Sequence, residues 1–114
     1  MRPMLIALLA VLPIGVGAQE TWVSMSGAEI TEGLTGNVLD YDNAVQDFRV
    51  SGRTLYNAGR DSWGYWAVRG DQYCSMWPPS DLWACYDMAR SGDRIRFIGE
   101  AGDTIDGVVR EAID

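Results

Sequence analysis

The chain has 114 residues, with 16 acidic side chains against 9 basic ones. Every basic residue is an arginine, and neither histidine nor lysine occurs. That excludes an imidazole base, a Ser-His-Asp triad, a Schiff-base or phosphate-loop lysine and a His-ligated metal, while a net charge of −7 argues against nucleic acid as a partner.

The first segment reads as an address. Arg2 precedes an apolar run from Met4 to Leu12, and Val16-Gly17-Ala18 supplies small or compact side chains at the exit. A positive start, a short apolar run and a small-residue end make a secretory signal peptide cleaved after Ala18. The run is shorter than the roughly twenty apolar residues a membrane span needs. Residues 1–18 are therefore expected to be a signal peptide, and residues 19–114 one β-barrel-like domain, periplasmic or secreted, with no membrane span after cleavage. Cleavage removes one arginine and no acid, so the exported chain is more acidic still.

Ser26-Gly27-Ala28-Glu29 has the form of a capping box, in which Ser and Glu each satisfy a free amide at a helix start. Ile30 and Leu34 lie four apart on one face, and Gly33 is a plausible stop. The spacing predicts a short helix over Ser26 to Glu32, too short to stand without packing on something.

From Thr35 onward the period changes. Turn signals recur at Ser51-Gly52, Ala58-Gly59, Gly70-Asp71, Pro78-Pro79-Ser80-Asp81, Ser91-Gly92-Asp93 and Ala101-Gly102-Asp103. Between them run Gly36 to Asp40, Val45 to Val50, Thr54 to Asn57, Trp63 to Arg69, Gln72 to Trp77, Leu82 to Met88, Arg94 to Ile98 and Thr104 to Arg110. The expected fold is all-β: about eight strands in an antiparallel meander, forming a small closed or partly open barrel with one short N-terminal helix.

Cys74 and Cys85 are the two cysteines. In an oxidising compartment they most simply form one disulfide, two free thiols being the alternative. With no further Cys or His, the pair does not make a metal site. A turn centred between Pro79 and Ser80 places Cys74 opposite Cys85, Tyr73 opposite Tyr86, Met76 opposite Trp83 and Trp77 opposite Leu82. The turn at Gly70-Asp71 places Val68 opposite Tyr73 and Trp66 opposite Ser75. Alternation then gives an inner face of Trp66, Val68, Tyr73, Trp77, Leu82, Ala84, Tyr86 and Met88. The outer face carries Trp63, Tyr65, Ala67, Cys74, Met76, Trp83 and Cys85.

More than half of the aromatic residues fall between Trp63 and Tyr86. Large aromatics fill small cores, but exposed ones mark contact sites. Trp63, Tyr65 and Trp83, expected on the outer face, are the candidate binding residues. Arg69-Gly70-Asp71 spells an adhesive tripeptide but reads as turn chemistry. Asp40-Tyr41-Asp42-Asn43 fails the calcium-loop pattern, because Ala44 and Val45 stand where that loop needs a ligand and a glycine. Arg94-x-Arg96 puts two guanidinium groups on one strand face, where they could receive a carboxylate.

The succession Leu34-Thr35-Gly36-Asn37, Gly64-Tyr65-Trp66-Ala67-Val68, Cys74-x-x-Trp77 and Cys85-Tyr86 resembles a group of small exported bacterial proteins without assigned function. The resemblance implies a periplasmic, β-rich, disulfide-bearing domain, and brings no catalytic residue and no ligand with it. A looser likeness to lipocalins rests on eight strands and an N-terminal helix, with any cavity smaller than theirs.

The expected function is that of a small binding or interaction module, an inhibitor or accessory subunit for instance, acting on another periplasmic protein or a small apolar ligand through the aromatic-rich sheet or the barrel mouth. No catalytic residue, metal or cofactor is assigned. The alternatives are a structural envelope component without a discrete site and a small carboxylate-based hydrolase. N-terminal sequencing of the exported protein is expected to begin at Gln19; a product retaining Met1 to Ala18 would refute the leader.

Overall fold

A computed structural model describes residues 20–110; the leader expected over residues 1–18 lies outside them, as do residues 111–114. Ser26 caps the helix as expected. Its hydroxyl accepts from the Glu29 amide at 3.2 Å, and the Glu29 carboxylate accepts from the Ser26 amide at 2.8 Å. Helix α1 spans Gly27–Leu34 and follows a two-residue strand, β1 (Val23–Ser24). It runs through Gly33 rather than stopping there. Gly33 is buried, and a Cβ on it would crowd an Arg90 side-chain nitrogen at 3.2 Å and the Met25 methyl at 3.4 Å. Glycine serves there for close packing. The left-handed residue that turns the chain away is Gly36, with φ of 77°, and the Asn37 side-chain Nδ2 donates to the freed Gly33 carbonyl at 2.7 Å.

Eight further strands follow: β2 (Val38–Asp40), β3 (Val45–Phe48), β4 (Arg53–Asn57), β5 (Asp61–Arg69), β6 (Gln72–Met76), β7 (Ala84–Ser91), β8 (Arg94–Ile98) and β9 (Thr104–Arg110). Each pairs antiparallel with the next, and β2 pairs with β9, which closes an eight-stranded barrel. The strand β1 was not legible, since two residues show no period. It lies on β7, pairing Val23 with Arg90 and Ser24 with Ala89 beyond the stretch that β6 occupies.

The predicted registers hold through the middle of the β5–β6–β7 sheet. Trp66 faces Ser75, Val68 faces Tyr73, Tyr73 faces Tyr86 and Cys74 faces Cys85. Cys74 and Cys85 form the disulfide. Closing this short loop in the unfolded chain stabilises the fold by about 3 kcal/mol on the chain-entropy model. The ladder ends at Ser75 and Ala84, so Met76–Trp83 and Trp77–Leu82 do not pair. Pro78 and Pro79 have no amide to donate, and the Ser80 amide turns back to the Trp77 carbonyl at 3.1 Å. Leu82 and Ala84 are consequently exposed rather than inside. Other strand ends shift by a few residues for similar reasons: the Gly36 amide is spent on the Phe48 carbonyl before β2 begins, and Arg49 to Gly52 form a turn instead of prolonging β3.

Two ends of the barrel differ. The turns after β3, β5 and β7 lie at one end, and α1 plugs it. Ile30 and Leu34 are fully buried there among Met25, Leu39, Phe48, Trp66 and Ile95, each such side chain contributing roughly 1.5–3 kcal/mol. The helix start is clamped to the β5–β6 turn: the Gly27 amide donates to the Asp71 carboxylate at 2.7 Å. Arg69-Gly70-Asp71 is thus a turn that holds the plug. A Cβ on Gly27 would fall on the Gly70 carbonyl oxygen. Gly27→Ala is therefore expected to push α1 off the barrel and cost about 1–3 kcal/mol, the range for overpacked sites, read as a lowered midpoint in chemical unfolding. An unchanged midpoint would contradict this seating of the helix.

Candidate functional site

At the opposite end, the loops after β2, β4, β6 and β8 leave the barrel open. The opening leads to a cavity of about 920 Å³. Part of that volume runs over the rim along the outward-facing Asp106 and Val108, so the inner chamber is smaller. Inside, the walls are Tyr41, Tyr56, Tyr73, Trp77, Tyr86 and Phe97, with Gln46 and Ser75 among them. These rings brace one another: Tyr73 and Phe97 meet edge to face at 5.1 Å between centroids, Tyr56 and Trp77 at 6.2 Å.

Glycines bring two of the walls close. A Cβ on Gly64 of β5 would meet the Trp77 ring at 2.5 Å and the Met76 carbonyl at 2.7 Å, and one on Gly107 of β9 would meet the Tyr41 ring at 3.0 Å. Trp77 and Tyr41 each lie against backbone on the inner side of the sheet.

The chamber floor is polar. Gln46, Thr54 and Ser75 are all at most 5 % exposed. The Tyr41 hydroxyl donates to Gln46 Oε1 at 2.7 Å. Gln46 Nε2 donates to Thr54 Oγ1 at 2.9 Å and to the Tyr73 hydroxyl at 3.4 Å. The Thr54 hydroxyl donates to the Asp47 carbonyl, and Trp77 Nε1 donates to Ser75 Oγ at 3.3 Å. Burial raises the Tyr41 pKa far above the phenol range, and pushes that of Tyr73 up to about 12, offset in part by the Ser75 hydroxyl and the Gln46 amide beside it. Both stay protonated near neutral pH.

The carboxylates sit at the rim. Asp40 receives a two-pronged contact from Arg110, and that hydrogen bond holds its carboxyl below the usual range. Asp106 is gripped by Arg96 at 2.8 and 2.9 Å, with the same consequence. Arg94 reaches Glu20 at 3.3 Å and Asp106 at 3.7 Å. The Arg94-x-Arg96 pair is therefore filled by carboxylates of its own chain, while Arg96 also stacks on Trp22 at 3.9 Å.

The residues singled out from sequence lie elsewhere. Trp63 and Tyr65 stand on the outer face of β5, each 39 % exposed. Arg49 and Arg53 stack on Trp63 at 4.7 and 4.8 Å, and Arg53 also reaches Tyr65 at 5.2 Å. Trp83 is half-buried and pairs separately with Arg69 at 4.4 Å. That pair bridges from β5 to the β6–β7 loop across β6, where Cys74 is completely buried although its face looks outward. Among the described residues no ring-to-ring contact joins Trp63, Tyr65 and Trp83 into one cluster. The mouth residues Tyr41, Gln46 and Tyr56 escaped the sequence reading because they come from β2–β4, far along the chain from the aromatic stretch. The one available signal was the alternation of Gln46 with Phe48, which places a glutamine on the core face.

The ion pairs set an acid limit. Asp106 has a folded pKa below its ordinary value of 3.8, so its contribution is present above that value and lost as pH falls through the lower, folded one. Asp106→Asn is expected to flatten the fall of the thermal midpoint between about pH 4 and pH 2. An identical pH profile in variant and parent would refute the pairing. No family model, no curated protein and no solved structure matches the chain.

Proposed function

We propose that this chain is an exported binding module, periplasmic or secreted, which takes a small, largely apolar ligand into the open mouth of its barrel. The observation that carries the reading is the asymmetry of the two ends. One is plugged by α1, whose Ile30 and Leu34 are fully buried in the core, while the other is an aromatic-walled opening with buried polar groups at its base. Mostly apolar pockets with a few placed polar groups are the usual form of a small-molecule site. The outward row is the weaker place for a partner, because Arg49, Arg53 and Arg69 already cover faces of Trp63, Tyr65 and Trp83.

Binding fits better than catalysis. A carboxylate acting as an acid near neutral pH needs a raised pKa, whereas Asp40 and Asp106 at the rim are shifted downward by their arginines. The export signal and the disulfide belong together in this reading, since disulfides persist in oxidising compartments.

A neutral fluorescent probe, N-phenyl-1-naphthylamine, is expected to bind saturably at one site. Ser62 is exposed on the inner side of β5 at the rim, so Ser62→Trp should block entry and weaken the probe at least about tenfold. Replacing Trp63 and Tyr65 by Ala should leave its affinity unchanged. The opposite pattern would move the site to the outer face.

A further inference from the structure

The hydrogen bonds on the chamber floor leave two hydroxyl protons over. A hydroxyl has one proton to donate and can accept twice. The Tyr41 proton goes to Gln46 Oε1, the Thr54 proton to the Asp47 carbonyl, both Gln46 Nε2 protons to Thr54 and Tyr73, and the Trp77 indole proton to Ser75. Two donors remain, the neighbouring hydroxyls of Tyr73 and Ser75, which accept from Gln46 and Trp77 and, among the described residues, have no acceptor of their own within hydrogen-bond distance. Among the described residues neither hydroxyl donates to a carbonyl of the chain. Tyr73 is 3 % and Ser75 5 % exposed, and both line the cavity.

We propose that the Tyr73–Ser75 hydroxyl pair receives a carbonyl-type acceptor on a flat, neutral ligand seated in the mouth. This rests on the mouth being the binding site. The class follows from three features. A buried donor without a partner penalises any ligand that offers it no acceptor. Tyr56, Trp77 and Phe97 supply aromatic walls suited to a flat body. Asp42 at the rim, the one of the three rim acids outside the ion pairs of Asp40 and Asp106, together with a net charge of −7, disfavours an anionic ligand. Burial pushes the Tyr73 phenol up to about 12, so the donor persists across the physiological range.

Equilibrium dialysis with three probes tests this. Coumarin carries a carbonyl on two fused six-membered rings, naphthalene has the rings without an acceptor, and 2-naphthoate adds a charge. Coumarin is expected to bind about tenfold more tightly than naphthalene, although naphthalene is the more hydrophobic, and 2-naphthoate most weakly. The proton count makes a sharper demand. Tyr73→Phe or Ser75→Ala alone removes one donor and leaves the other unpaired, so each single variant should keep the preference for coumarin. The double variant should lose it while retaining naphthalene. Equal binding of coumarin and naphthalene by the parent protein, a preference that survives in the double variant, or tightest binding of 2-naphthoate would each overturn the assignment. Naphthalene binding that Ser62→Trp abolishes, without any preference for coumarin, would refute the hydroxyl pair and leave the mouth as the site; no saturable binding of any probe would refute both. Should the double variant fail to fold, the parent's ratio and the two single variants decide.

Discussion

The barrel is closed by a short seam. Three residue pairs, Val38–Arg110, Leu39–Val109 and Asp40–Val108, join the first barrel strand to the last. Everything at the mouth depends on this seam, because it brings Tyr41 and the β2–β3 loop against β9 and Phe97. Tyr41 can lie on the wall only because Gly107 leaves room beside it, and the Asp40–Arg110 pair clasps the same junction from outside. An exposed ion pair adds little by itself. Its value here lies in fixing the register of a seam with few hydrogen bonds, since a slip of one residue would turn Leu39 outward.

Small eight-stranded barrels fill their interior with side chains. This one does so over half of its height. The plugged half is aliphatic and aromatic, with Ile30, Leu34, Leu39 and Ile95 fully buried. The open half replaces aliphatic packing by tyrosine hydroxyls, a glutamine, a threonine and a serine. Buried polar groups are costly unless paired, and here Tyr41, Gln46, Thr54 and Tyr73 share one hydrogen-bond network while Trp77 pairs with Ser75. Such a network makes the chamber rigid and directional. A donor held at its base is a means of orienting a guest, while the aromatic walls supply most of the contact area.

Outside, the arginine-only composition has a structural use. Guanidinium groups stack on ring faces and fork onto carboxylates, which an ammonium group does less well. Arg49, Arg53 and Arg69 shield the outer aromatics, while Arg94, Arg96 and Arg110 tie up acids along β2, β9 and the N-terminal segment. An acidic protein is thereby kept from presenting bare tryptophans on its outer wall. The outer aromatic residues that stand out in the sequence are in this sense part of the wall's cover.

What was legible in the sequence is what local chemistry dictates. The capping box at Ser26, the alternation of Trp66 with Val68 and of Tyr73 with Tyr86, and the turn signals together specified a helix followed by an antiparallel meander, and the spacing of Cys74 and Cys85 about a proline turn specified their opposition. These follow from periods of two and from hydrogen bonds within a few residues. Three things required the tertiary structure. Whether β2 meets β9 depends on a pairing across nearly the whole domain, which no local pattern encodes. The role of Gly33, Gly64 and Gly107 as gaps for side chains rather than as turns depends on what packs against them. The chamber gathers Tyr41, Gln46, Tyr56, Ser75 and Phe97 from distant strands, and only closure of the sheet makes them neighbours. The sequence determined the strands and which faces could be buried; the fold alone decided which buried face was left unfilled, because an empty space is a property of how surfaces meet and not of any residue that lines it.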